Sequence, residues 1–132
     1  MNLNEAIKCL KTNGFNVLKE SVSVCRATYG TDVDDFDDHI NVEVFLTEND
    51  GSEFKTSDID FIAGIYDKIV TKLESGLAQG ILQDSMNDSY DDGVNYIAKF
   101  EFFFDATQID EDQAKNYIAS ALANQNITAI EN

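Results

Sequence analysis

Carboxylates are the chemically capable side chains that this sequence has in abundance, and they come in runs. Asp32, Asp34, Asp35, Asp37 and Asp38 crowd into the stretch Thr31–His39. Further groups occupy Asp84–Asp92 and Asp105–Asp112. Clustered carboxylates can ligate a hard cation, or they can present a field of negative charge to a cationic partner. The spacing decides against the first use. A calcium loop of the EF type needs oxygen ligands at fixed positions, a glycine sixth and a glutamate twelfth. Setting Gly93 sixth puts Asp88 first but Tyr90 third and Lys99 twelfth, and neither of the last two is a suitable ligand. The Asp32–Asp38 group has the charge but neither the glycine hinge nor the closing glutamate. No metal site and no cofactor are expected.

Nucleophilic catalysis is equally short of parts. It requires a base beside the nucleophile and a third group to orient the base. His39 is the sole histidine, at a loop–strand junction beside the aspartates, and Cys9 and Cys25 are the sole thiols. No glycine-rich phosphate loop is present, since Gly76 and Gly80 fall at the end of a helical pattern. The chain is therefore read as non-enzymatic.

The carboxylates must then be judged by their sum. Against 9 Lys+Arg stand 25 Asp+Glu in 132 residues, a formal net charge of -16 with a sequence pI near 4.1. That balance disfavours nucleic acid or an anionic membrane as a direct partner, because both require a basic face. It favours a basic protein, including one whose own nucleic-acid groove is basic. Duplex DNA carries about one negative charge per 1.7 Å of axis. Carboxylates spread over a small rigid domain can imitate that field, and they would also speed encounter with a cationic surface. Asp32, Asp34, Asp35, Asp37 and Asp38 form the first expected contact set, and Asp88, Asp91 and Asp92 the second. Plain solubility is the competing explanation of the same charge.

The elements that must carry these groups follow from periodicity. At 43% hydrophobic and 11% aromatic residues, residues 1–132 suit one globular domain with a single core. Tyr96, Ala98, Phe100, Phe102 and Phe104 alternate along Asn95–Ala106, which predicts a strand with one aromatic face. Ile40, Val42, Val44 and Leu46 predict a second strand, followed by an Asp-Gly turn within Glu48–Ser52. Ile59, Ile62, Tyr66, Ile69, Val70, Leu73 and Leu77 mark a long helix from Ser57 to about Ala78, with Ser57 and Asp60 as its cap. Asp110 and Gln113 begin another helix that ends near Asn124, and residues 127–130 suit a short last strand. An N-terminal helix is expected over residues 3–12. Residues 15–29 fit either a helical stripe or, on their valine and threonine content, a strand over 21–28. Thr31–His39 and Asp84–Gly93 are expected to be acidic surface loops.

The resulting expectation is an α+β domain in the order α-β-β-α-β-α-β. A sheet of about four strands would carry two helices on its aromatic face. The run from the aromatic strand through the last helix to the last strand is long enough for a crossover, which favours a parallel or split arrangement. Phe45, Ile97 and Phe103 would then point to the opposite face. Either the N-terminal helix covers them or they form an apolar interface, a homodimer being one form of it. Two cysteines are too few for a disulfide framework, and the opening residues lack a basic leader or a long apolar run. A cytoplasmic protein is expected.

A small, strongly acidic chain without a catalytic motif, opening Leu3-Asn-Glu-Ala-Ile-Lys-Cys-Leu-Lys-Thr-Asn-Gly-Phe15, resembles phage-encoded inhibitors of host defence, including anti-CRISPR and anti-restriction DNA mimics. The resemblance implies a viral protein acting in the host cytoplasm on a nucleic-acid-binding partner. It assigns no role to any single residue. The alternative expectation is an acidic dimeric chaperone or immunity protein whose affinity comes from the Phe45/Ile97/Phe103 face.

Overall fold

The computed structural model describes residues 25–34, 38–125 and 127–131. The chain enters the sheet with β1 (Cys25–Asp34) and turns back into β2 (His39–Glu48), its antiparallel neighbour. A 3-10 turn at Thr56–Asp58 leads into α1 (Ile59–Lys72), and a wider turn of helix continues through Leu73–Leu77. Then come β3 (Leu82–Asn87), the short β4 (Tyr90–Asp91), β5 (Tyr96–Asp105), α2 (Glu111–Ala123) and β6 (Thr128–Glu131). Across the sheet the order is β3-β5-β2-β1-β6, with β4 also pairing with β5. All neighbours are antiparallel except β1 and β6. The fold is α+β in a single domain.

Both helical connections are split crossovers. β2 and β3 are each antiparallel to β5, so they run parallel to one another with β5 between them and α1 as their link. β5 and β6 also run parallel, linked by α2 and separated by β2 and β1. The expected crossover after the aromatic strand is thus present in its split form.

Alternation along β2 and β5 sorts the sheet into two faces. Ile40, Val42, Val44 and Leu46 are buried, as are Tyr96, Ala98, Phe100, Phe102 and Phe104. Register places Val42 beside Phe102 and Val44 beside Phe100, so the two rows form one surface. Cys25, Ala27 and Tyr29 of β1 extend it. Ile62, Ile65, Ile69 and Leu73 come down onto this surface from α1, and Ala114, Ile118, Ala121 and Leu122 from α2. Tyr66 spans two of the phenylalanines, its ring centroid lying 5.3 Å from Phe100 and 6.2 Å from Phe102. Its hydroxyl sits 2.7 Å from Ser85 Oγ on β3, a polar end for a side chain whose ring is in the core.

Several boundaries differ from expectation. Asp84–Gly93 is not a loop: β3 and β4 occupy most of it, which raises the sheet above four strands. An edge strand needs partners along one side only, so polar Gln83, Asp84 and Asn87 stay in water while their backbone pairs with β5. Thr31–His39 is likewise not all loop, because β1 runs on to Asp34. Asp32 lies opposite Asn41 with its carboxylate exposed, so repulsion among the aspartates is relieved by solvent and does not block pairing. The strand expected over 21–28 is present from Cys25 and runs past its expected end to Asp34, and its first four positions lie outside the described residues. So do the helix expected over 3–12, and with it the first element of the order α-β-β-α-β-α-β.

The N-cap position of α1 is Asp58 rather than Ser57, but its side chain serves the 3-10 turn before the helix, accepting from Lys55 N at 3.1 Å. The end of the long helix loosens as its glycines suggest: Ala78 N donates to Leu73 O at 2.8 Å, one residue wider than α-helical spacing. The start of α2 is as expected. Asp110 Oδ1 accepts from Gln113 N at 2.9 Å while Asp110 N donates to Gln113 Oε1 at 3.0 Å.

Phe102 is fully buried at the centre of the sheet. Phe102→Ala should lower unfolding free energy by about 3–5 kcal/mol in urea denaturation. Gly51 closes the turn after β2 at φ +92°, and a Cβ there would run into the Arg26 guanidinium. Gly51→Ala should cost about 1–3 kcal/mol in the same measurement, and a neutral result would show that the turn can rearrange.

Candidate acidic interaction site

The first acidic run gathers more charge than its own sequence holds. Asp34 pairs with His39 on one side of β2 and His39 pairs with Asp105 on the other, so three strand ends align. Ala106 N donates to Asp38 O at 2.8 Å, tying the turn before β2 to the segment after β5. Asp38 itself sits at φ 53°, a left-handed conformation that aspartate tolerates better than most residues. Thr31 Oγ1 donates to Glu111 Oε2 at 2.8 Å, tying β1 to the first turn of α2. Residues 31–34 and 38, the described parts of the first run, therefore share one end of the domain with 105–112. Asp32, Asp38, Asp110, Glu111 and Asp112 are exposed there, and neither run contains a lysine or arginine. Asp35 and Asp37 lie outside the described residues, and only the backbone of Asp34 is described.

Part of this charge has a local structural use. Asp105 accepts from Thr107 N at 2.9 Å, Thr107 Oγ1 at 2.6 Å and Gln108 Nε2 at 2.8 Å. Those bonds, led by Gln108, hold its carboxyl below the usual range, with a small contribution from nearby His39. Asp110 caps α2, while Glu111 and Asp112 stand where the helix dipole favours negative charge. The exposed carboxylates of Asp32 and Asp38 are not part of that arrangement.

The second expected set lies elsewhere. Asp91 and Asp92 sit where the chain turns from β4 into β5, while Asp38 and Asp105 sit at the far end of β5. Nine residue steps along β5 separate the two ends, or about 30 Å. Asp91 accepts from Gly93 N at 2.8 Å and Thr56 Oγ1 at 3.2 Å. Asp92 accepts from Asn95 N at 2.7 Å and Val94 N at 2.9 Å, and these bonds hold its carboxyl below the usual range. They build the turn, with Gly93 at φ +94°. The two sets cannot act as one compact patch.

The outer sheet face carries a third feature. Phe45, Ile97 and Phe103 all reach it and are half-buried, and no described helix lies on that side. Between them Glu43 and Glu101 stand directly opposite on β2 and β5. Lys99 Nζ lies 3.9 Å from Glu43 Oε1 and 5.8 Å from the Phe45 ring centroid. Asp88 lies against Glu101, and the hydrogen bond it can make there only when protonated raises its pKa; burial and the Glu101 charge add to the rise, while Lys99 opposes it. The like-charged pairing was illegible without the register. Alternation of Lys99 and Glu101 was the only visible signal.

Among the described residues no three His, Cys, Asp or Glu side chains converge to hold a metal ion, and no helix is long and apolar enough to cross a membrane. Cys25 is a buried thiol and His39 packs edge-on to Phe103 with centroids 6.3 Å apart. The described residues thus form an α+β sheet with both of their helices on one face, acidic at both ends. No family model, curated protein or solved structure matches the chain.

Because its folded pKa is raised, Asp88 costs stability at pH values above that pKa and none below the ordinary carboxylate range. Asp88→Asn should therefore be more stable than the parent at pH 7, and the difference should vanish near pH 3. Thermal melts across that range check it, and an equal difference at both ends would exclude the repulsion.

Proposed function

We propose that this protein is a non-enzymatic acidic binding domain that occupies a basic protein surface in place of nucleic acid, as an inhibitor of a nucleic-acid-binding protein would. The observation behind this is the Thr31–Glu111 hydrogen bond with the Asp38–Ala106 bond beside it. Together they join the flanks of two acidic runs, from distant parts of the chain, at one end of the sheet. Charges held on a scaffold lose less entropy on binding than charges on a free tail, so their field is available to a partner without a folding step. The contact set is Asp32, Asp34, Asp35, Asp37 and Asp38, joined by Glu111 and Asp112. Asp91 and Asp92, about 30 Å away at the other end of β5, lie outside this patch, and Asp88 lies between the two ends beside Glu101. A role against phage-targeting defences fits a domain of this size and charge.

The test is displacement of duplex DNA. A basic DNA-binding protein retained by the immobilised domain at low salt is loaded with a labelled duplex, and anisotropy is followed as the domain is added. The parent should release the duplex, with an affinity that falls steeply as salt rises. Replacing Asp32, Asp34, Asp35, Asp37 and Asp38 by Asn should weaken it about tenfold or more, since each exposed pair contributes about 0.2–1 kcal/mol. Equal potency and equal salt slope for the fivefold variant would sink the proposal.

A further inference from the structure

We infer that the outer face of the sheet is a second docking surface, shaped for a basic amphipathic helix of another protein. It goes beyond the acidic end, since β2, β3 and β5 build it along their length. Its apolar residues stand in two groups. Phe45 and Ile97 lie toward the β4 end with Tyr90, which is 53% exposed, and Phe103 lies toward the other end, with Met86, 40% exposed, on β3 beside Glu101. Three adjacent strands are about 10 Å wide, the diameter of one helix. From Ile97 to Phe103 the face is six residue steps long, about 20 Å, or nearly four helical turns.

The middle of the face specifies the charge of the occupant. Like charges directly opposite on neighbouring strands destabilise a sheet, yet Glu43 faces Glu101 here, and Asp88 adds a third carboxylate around the single cation of Lys99. Two further groups on the same side lack hydrogen-bond partners within the described protein although their atoms are buried: Asn41 Oδ1 and His39 Nδ1. Asn41 spends its amide N–H on Glu101 Oε1 at 3.3 Å, which leaves the oxygen unmet. Those two atoms are closed to solvent, so the occupant is set by the accessible carboxylates, whose excess over Lys99 suits a donor-rich cationic partner. No three carboxylates converge on one point among the described residues, so a single metal ion does not meet that need. Lysine or arginine side chains spaced along a helix do. A second copy of this chain would set the same carboxylates against each other at a net charge of -16 per copy.

A labelled synthetic helix of about 18 leucine and lysine residues, long enough to hold helical structure, tests this by anisotropy and by amide chemical shifts of the intact chain. It should bind, shifting amides of Glu43, Met86, Glu101 and Phe103, whereas a scrambled sequence of the same composition should not. The double variant Asp88→Asn/Glu101→Gln, whose changes are at the surface, should weaken binding about tenfold. Phe45→Ser should weaken it at high salt as well. The triple variant Asp35→Asn/Asp37→Asn/Asp38→Asn, which leaves Asp32 opposite Asn41 in place, should bind within about twofold of the parent. Equal binding of the scrambled peptide, an unchanged double variant, or shifts confined to residues 105–112 would overturn the outer-face site, and the last result would leave the acidic end as the docking surface. Self-association through this face without peptide binding would overturn it too.

Discussion

Everything in this domain hangs on the apposition of two alternating rows, one on β2 and one on β5. Each row is amphipathic only because a strand throws successive side chains to opposite sides. Once Val42 lies beside Phe102 and Val44 beside Phe100, one side of the sheet is an unbroken apolar surface that water must leave. Burial of each phenylalanine stabilises the fold by about 1.5–3 kcal/mol, and α1 and α2 supply the covering. A shift of register by one residue would send Phe100, Phe102 and Phe104 to the side where Lys99 and Glu101 now lie. The acidic ends and the outer face are therefore fixed by the same registration that makes the core.

The helices extend this logic. α1 meets the rows through an isoleucine stripe and places Tyr66 across two phenylalanines. α2 uses smaller residues, Ala114 and Ala121, which allow close approach to the β1 and β2 half of the sheet. Its capping aspartate and first-turn acids are then carried to the end where β1 stops. Charge that looks gratuitous in the sequence is partly the price of starting a helix well, and partly surplus.

The aromatic strand, the Ile40–Leu46 strand and both described helices were legible because their apolar positions repeat at a period that only one element satisfies. β3 was not legible. Its residues Gln83, Asp84, Ser85 and Asn87 have no apolar alternation, since an edge strand over open solvent needs none, and its pairing is a property of β5. The extension of β1 to Asp34 was hidden for the reverse reason: repulsion among aspartates was counted, but the solvent that screens it was not. Of the candidate sites, the Asp32–Asp38 run and the Phe45/Ile97/Phe103 face could be read from residue types. The junction of that run with Glu111, eighty positions away, could not, because a threonine hydroxyl leaves no pattern in a sequence.

The split crossovers also set an order of assembly. β1 and β2 can close as a hairpin once the chain has reached Glu48, while β3 has nothing to lie against until β5 exists. β5 must then enter between two strands already made, satisfying β2 on one edge and β3 on the other. Until that insertion, β2 has a free edge and its row of buried positions has no aromatic neighbour. This inner aromatic strand is synthesised after β1, β2 and β3, so the interval before it arrives is when this chain most needs its net charge to keep one copy from another.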